Sequence, residues 1–392
     1  MSNTNGNGHS ATQRTGERIL VLGGAGFIGS HLVDALIACG HQVRVLDALV
    51  PQVHGPEPLG AAGRPRYLHP AAEFIRADIT DAAAVRRALT GIEVVYHEAA
   101  EVGVGQSMYE IVRYTQANTL GTAVLLEALT TDRGAVRKVI VASSMSIYGE
   151  GAYHCPTHGR VYPKLRGEAQ LAARDWEMHC PICAGPATPA PTAEDKPLFP
   201  TSIYAINKRD QEEMCLAVGR AYGIPTVALR YFNVYGTRQA LSNPYTGVAA
   251  IFSGRLLNNK PPMIFEDGGQ QRDFIHVSDI VQANLRALET DAADYEALNI
   301  GTGQCVTVRE VAEALAAGLG KAIAPEIVRQ FRAGDIRHCY ADISKAHRLL
   351  GYVPTVRFSD GVAELLAWVR DQQATDRADQ ARAELVGRGL AS

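Results

Sequence analysis

Apolar residues along this chain follow two alternating periods. Ile19 to Leu22 form a short continuous apolar run, glycines follow at 23, 24, 26 and 29, and Leu32, Leu36 and Ile37 then recur at helical spacing until Gly40. A second apolar run occupies 42–46. Strand, helix and strand within about 30 residues is the length of a crossover unit with parallel strands. The rhythm continues, with strand-like runs at 73–76, 93–97, 138–142 and 226–231 and helical patterns such as 81–89, 118–129 and 204–222. Such alternation predicts an α/β protein built on a doubly wound, mainly parallel sheet.

Two stretches break the rhythm. Residues 149–201 are rich in Pro, Cys, His and Gly and too long for a plain loop in a compact domain, which predicts a functional or separately stabilised insertion. Beyond about Asn233, short apolar pieces at 263–265 and 298–300 mix with helices at 277–288 and 308–319 without repeating the period, as in a smaller C-terminal α/β unit. After Trp368 the chain turns polar. The expected division is a disordered polar N-terminal tail (1–17), a nucleotide-binding domain (18–232) carrying the insertion, a mainly substrate-binding domain (233–372) and a polar C-terminal tail (373–392), helical at most, without internal repeats.

Composition narrows the partners. With 38 Lys+Arg against 41 Asp+Glu the formal net charge is −3, so the chain lacks the basic excess that displaces counterions from nucleic acid or holds an anionic membrane. No apolar run reaches the roughly 18 residues of a spanning helix, and the polar first residues lack the apolar core of a secretory signal. A cytoplasmic protein with neither a nucleic-acid nor a membrane partner is expected. Its seven cysteines are then reduced. Cys39, Cys215, Cys305 and Cys339 lie in apolar or amphipathic stretches, where a lone thiol is a small core residue, whereas Cys155, Cys180 and Cys183 cluster in the insertion.

Gly23, Gly26 and Gly29 stand between the first strand and its helix. Glycine there permits a tight turn, brings backbone N–H groups against a pyrophosphate at the positive end of the helix, and allows close helix–strand packing. Asp47 closes the second strand, where a carboxylate accepts hydrogen bonds from the adenosine ribose and repels a 2′-phosphate, favouring NAD over NADP. This is a Rossmann arrangement. Asp78 and Ile79 follow the third strand as candidates for the adenine edge, Asp78 being equally suited to start the next helix. Further on, Tyr204-Ala-Ile-Asn-Lys208 sets an ammonium beside a phenol on one helical face, where a cation lowers the tyrosine pKa. Ser144, with Ser146, ends a strand at the edge of the sheet where α/β proteins bind ligands.

Together with GGAGFIGSHL, YHEAA, QANTLGTAVLLEAL, SSMSIYG, SIYAINK, RYFNVYGTRQ, QRDFIHVSDI, LNIGTG and GDIRHCYADISKAHRLLGY, these motifs make the chain resemble the extended short-chain dehydrogenase/reductase family, in its nucleotide-sugar epimerase/dehydratase branch. The resemblance runs from Arg18 to about Trp368 outside the insertion. It implies tightly bound NAD, contacted by Phe27, Ile28 and Ala99 besides the glycines, and a nucleotide-diphosphate sugar as substrate. It implies that Tyr204 is the acid/base on the sugar C4 hydroxyl, that Lys208 also holds the nicotinamide ribose, and that Ser144 shares the hydrogen bond to that hydroxyl with Ser146 nearby. On the substrate side it implies Asn233, Arg272 and Arg332 as the hold on the diphosphate, Asp335 on the nucleotide ribose and Val104 in the loop lining the sugar. Asn118 is implied as a structural tie, and the helices near 118–129 and 204–222 resemble those that pair in a homodimer.

Dehydratases of the branch place Asp-Glu where this chain has Met145-Ser146, and its 3,5-epimerases bring a cysteine to the position of Ser146. Neither is present, which leaves inversion at C4 through a transient 4-keto sugar. The word EAAEVGVGQSMYE and the Cys-rich insertion are similar to a bacterial subgroup of dTDP-L-rhamnose 4-epimerases, with UDP-glucose and UDP-glucuronate 4-epimerases the nearest rivals. The alternatives are a 4-keto-sugar reductase, another short-chain sugar dehydrogenase or decarboxylase, and a non-catalytic NAD-binding protein.

Within the insertion, Cys155-Pro-Thr-His158 and Cys180-Pro-Ile-Cys183 give C-x2-H and C-x2-C separated by a loop. Two such short pairs are the spacing of a tetrahedral structural zinc site, each pair spanning one turn. His154 and His179 are alternative ligands. A stretch with few large apolar side chains cannot build its own core, and a metal would order it.

Overall fold

Seven parallel strands form one sheet in the order Ala297–Ile300, Thr226–Tyr231, Lys138–Ser144, Val94–His97, Arg18–Leu22, Gln42–Asp47 and Glu73–Arg76. The computed structural model describes residues 15–55, 59–60 and 63–391. The apolar runs are continuous because the central strands are covered on both faces, with Ile19, Leu20, Val21 and Leu22 all inaccessible to solvent. The strand order reverses between Arg18–Leu22 and Val94–His97, opening a crevice beyond their C-terminal ends.

Local chemistry sets the helix ends that face this crevice. Asp81 caps Ala82–Leu89 by accepting from the Ala83 and Ala84 amides, and Ser202 caps Ile203–Tyr222 by accepting from the Ala205 amide. The latter helix stops at Gly223, whose φ of +63° is left-handed. A π-helical segment, Gln116–Leu120, precedes Gly121–Thr131. Asn118 sits in it, accepting from the Glu101 amide at 2.7 Å and donating to the Glu101 carbonyl at 3.1 Å, so it ties the helix to the loop after strand Val94–His97.

The C-terminal unit has its own core, where Val248–Leu257, Val308–Gly318 and Phe358–Val369 pack through Phe252, Leu256, Leu315 and Leu365. It is discontinuous. The run at 298–300, read with this unit, is the edge strand of the large sheet, and helix Val277–Glu289 packs Ile280, Ala283 and Ala287 into the large core. A short apolar run between turns carries no sign of which sheet it joins, so its pattern places it in neither.

The N-terminal tail is shorter than expected, and the C-terminal stretch is helical in part. Residues 1–14 of the N-terminal tail lie outside the described residues, but Gly16 and Glu17 belong to the fold: the Gly16 amide donates to Gly40 and Glu17 accepts from Arg137 at 2.6 Å. The polar C-terminal stretch contains the helix Ala378–Gly387, with Ala381 and Leu385 buried at i, i+4 spacing. The scattered cysteines divide as well. Cys215 and Cys339 are buried as expected, Cys39 is half-buried, and Cys305 is exposed in the turn after Gly303.

His97, on a central strand, is fully buried, with Nε2 2.8 Å from Thr122 Oγ1. Burial pushes its pKa from 6.5 down to about 3. The folded state therefore favours the neutral ring, a contribution complete above pH 6.5 and lost as pH falls toward 3. Urea titrations are expected to show an added acid-side loss approaching about 1.4 kcal/mol per pH unit. His97→Asn should flatten that slope; an unchanged slope in the variant contradicts the assignment.

Candidate active site

A cavity of about 560 Å³ occupies the crevice and continues under the C-terminal unit. Its nucleotide end is built by the turn from Gly23 to Gly29. Gly23 has φ +76°, and a Cβ on it would lie 2.7 Å from the Ala99 backbone, while a Cβ on Gly29 would run into the Gly23 carbonyl oxygen. Helix Phe27–Ala38 begins at Gly26 with neither a side-chain cap nor an acidic first turn, so its leading amides, those of Phe27 and Ile28 among them, remain for an anion in the cavity they line. Asp47 is fixed at its strand end, accepting from the Ala25 amide at 3.0 Å and the Leu49 amide at 2.9 Å. The glycine turn and the free leading amides fit a pyrophosphate. Asp47, Asp78, Ile79 and Ala99 do not line the cavity: Asp47 is taken up by backbone amides, Asp78 is exposed and accepts from Thr80, Ile79 packs beneath Gly121, and the Ala99 backbone lies behind Gly23.

Ser144, Ser146, Tyr204 and Lys208 meet at its centre. The Ser146 hydroxyl donates to Ser144 Oγ at 3.0 Å, and Lys208 Nζ donates to the Ala142 carbonyl at 2.9 Å. Burial pushes the Tyr204 phenol up to about 12, and the Ser144 hydroxyl opposes it. Lys208, expected to lower the phenol, is not among the groups that shift it; burial presses its own ammonium down to about 8, with Glu98 opposing. Glu98 is the residue that motif reading passed over. It stands inside YHEAA, accepts from the Tyr231 hydroxyl at 2.8 Å, and burial raises its carboxyl to about 7. A charged residue inside an apolar strand-end word was the available signal.

Val104 lines the cavity, and Asn233, Arg272, Arg332 and Asp335 line its other end. Asn233 Oδ1 is buried without a partner among the described residues. Arg272 gives Nη1 to the Arg337 carbonyl at 2.8 Å and Nη2 to the Ile336 carbonyl at 2.7 Å. Arg332 lies 4.6 Å over the Phe265 ring, and its Nε donates to Asp335 at 2.7 Å, so Asp335 is held by the arginine. The C-terminal helix, unforeseen as part of the site, closes this end: Leu385 lines the cavity, and Glu384 accepts from Tyr109 at 3.0 Å and Tyr245 at 2.7 Å.

The sequence matches the NAD dependent epimerase/dehydratase family over residues 19–165 and 182–301. The chain belongs to this family. The interruption in the match falls inside the insertion. A dTDP-L-rhamnose 4-epimerase of Burkholderia thailandensis is 36% identical over 359 residues, covering 91% of this chain and 96% of that protein. The UDP-glucose 4-epimerase of Thermotoga maritima, solved with UDP-glucose, superposes with a TM-score of 0.71 at 33% identity over 90% of this chain and 98% of its own. A UDP-glucuronic acid 4-epimerase of Bacillus cereus, solved with UDP-glucuronic acid and NAD, does so with a TM-score of 0.71 at 30% identity over 90% and 99%. The family's dehydratases and decarboxylases match too, so membership establishes an NAD-dependent enzyme of this family and leaves the reaction open. Among the described residues no helix is long and apolar enough to cross a membrane.

Proposed function

We propose that this enzyme is a nucleotide-sugar 4-epimerase that inverts C4 through a transient 4-keto sugar. The carrying observation is the pairing of Ser144, Tyr204 and Lys208 around one cavity with Met145 and Ser146 where the branch's dehydratases hold Asp and Glu. NAD, held at the turn from Gly23 to Gly29, would supply a reversible hydride acceptor for C4. Tyr204 takes the proton from the C4 hydroxyl and gives it back, and Ser144 holds that oxygen during both transfers. The diphosphate end is gripped by Arg272, Arg332 and Asn233, and the sugar end is lined by small or apolar groups such as Val104 and Met108. A firm anchor beside a loose sugar pocket lets the keto sugar turn its other face without leaving.

The substrate proposed first is dTDP-L-rhamnose, supported by the similarity to the Burkholderia thailandensis enzyme. Incubating the purified protein, with no added cofactor, with dTDP-, UDP- and GDP-sugars and scoring C4 epimers by NMR tests the reading. A C4-deuterated substrate should retain its label in the epimer. Label lost to solvent, a 6-deoxy-4-keto product, released carbon dioxide or a need for added NADH would overturn it.

Arg332→Gln is expected to raise KM for the accepted sugar about tenfold while kcat changes less than about twofold, because the lost contact is to the anchor and not to the reacting carbon. A fall in kcat alone contradicts the placement. A homodimer is proposed as the working form. Ile111, Val112, Leu120 and Ile206 stand exposed on neighbouring helical segments and would be covered in it, which light scattering tests.

A further inference from the structure

The insertion between Gly149 and Thr201 brings Cys155, His158, Cys180 and Cys183 together, with every pair of ligating atoms within 4.8 Å. Cys155 Sγ is 3.6 Å from His158 Nδ1 and 3.8 Å from Cys183 Sγ, and Cys180 Sγ is 3.7 Å from the same imidazole nitrogen. A tetrahedron with Zn–S of about 2.3 Å and Zn–N of about 2.0 Å has S–S edges near 3.8 Å and S–N edges near 3.5 Å.

The two turns share one backbone feature. In each, the residue after the second ligand is left-handed, Gly159 at φ +69° and Ala184 at φ +56°. The second turn closes through Ala184 N–H donating to the Cys180 carbonyl and Cys180 N–H donating to the Gly185 carbonyl. An alanine accepts that conformation only where something fixes the turn. The alternative ligands are accounted for elsewhere: His179 Nε2 donates to Asp175 at 2.6 Å, and His154 lies in a strand register opposite Arg160 and Thr188. Apart from the two thiols, the local apolar cluster is only Tyr153, Val161, Met178 and Ala187, too small to order the segment unaided.

The segment beside the cluster reaches the substrate end of the cavity. Glu177, three residues before Cys180, accepts from Arg337 Nε at 3.0 Å and bonds His338 Nε2 at 3.0 Å. Glu150 accepts from the Arg337 and His338 amides, each at 2.7 Å. The carbonyls of Ile336 and Arg337 are in turn what Arg272 holds. Arg166, also of the insertion, donates to Glu266 at 2.7 Å and to the Asp335 carbonyl at 3.3 Å.

We propose that Cys155, His158, Cys180 and Cys183 bind one structural zinc, and that this metal positions the diphosphate-binding arm of the active site through the contact of Glu177 with Arg337 and His338. Three thiolates and one imidazole match zinc and exclude calcium or magnesium. The metal takes no part in the chemistry at C4. The positioning half rests on the nucleotide-sugar reading above; the metal half does not.

Protein purified without a His tag should contain about one zinc per chain by elemental analysis, and Cys180→Ser/Cys183→Ser should lose it. Isothermal titration with dTDP and with UDP should show at least about tenfold weaker binding of whichever nucleotide the wild type holds, with NAD content unchanged. Glu177→Gln keeps all four ligands and should weaken nucleotide binding while retaining zinc, which decides the positioning claim if the cysteine variant fails to fold. Less than about half an equivalent of zinc, or a Cys155–Cys183 disulfide in the purified protein, overturns the site. Zinc present with wild-type nucleotide affinity in Glu177→Gln overturns the positioning. Absence of any C4 epimer from a protein that holds zinc and nucleotide normally counts against the epimerase reading alone.

Discussion

Tyr204→Phe is expected to lower turnover of the nucleotide sugar by about 10³-fold while the protein stays folded and keeps its NAD. The substitution removes one oxygen from a side chain already buried against the cavity and changes no backbone contact; the Tyr204 amide still donates to Ser107 Oγ at 3.0 Å. What is lost is the group that carries the C4 proton. Burial pushes the phenol up to about 12, and Ser144 is the neighbour that draws it down toward the phenolate that takes the C4 proton. Ser144→Ala is accordingly expected to cost less, about 10²-fold, because the phenol remains. Initial rates and the absorbance of NAD released on denaturation measure both quantities. Turnover of Tyr204→Phe within about tenfold of wild type would remove the tyrosine from the chemistry.

The parts of the molecule legible in the sequence are those whose physics is local. A glycine turn, a strand-end carboxylate and a Tyr-x-x-x-Lys helix face each constrain residues a few positions apart, and the structure brings Gly23, Gly26, Gly29, Ser144, Tyr204 and Lys208 to one cavity. The C-x2-H and C-x2-C pairs were readable for the same reason. What was hidden depends on distant packing. Strand Ala297–Ile300 reads like any short apolar run until Thr226–Tyr231 provides its neighbour. The helix Ala378–Gly387 carries only Ala381 and Leu385 as buried residues in a polar sequence, too thin a stripe to announce that it closes the cavity. Glu98 was concealed by the opposite effect, a carboxylate inside an apolar word whose partners Tyr231 and Lys208 come from other elements. Asp335, expected at a ribose, lines the cavity and accepts from Arg332 three residues away, a local ion pair that the motif did not announce.

Gly29→Ala separates cofactor binding from chemistry. A Cβ at this position runs into the Gly23 carbonyl oxygen and comes within 2.8 Å of Gly24 Cα, both backbone atoms of the turn. No rotamer relieves a backbone clash, so the helix must move away from the turn, and the Phe27 and Ile28 amides move with it. Strain of about 1–3 kcal/mol at the pyrophosphate contact corresponds to NAD binding weaker by about tenfold to a hundredfold. The variant should therefore purify with little NAD, turn over slowly as isolated, and recover activity when NAD is added in excess. Tyr204→Phe should show no such rescue, since its cofactor is already in place. Melting curves recorded with and without NAD complete the comparison: the cofactor should raise the Tm of Gly29→Ala by less than it raises that of wild type stripped of NAD. A full complement of NAD in Gly29→Ala would mean that the glycine turn is not what holds the pyrophosphate.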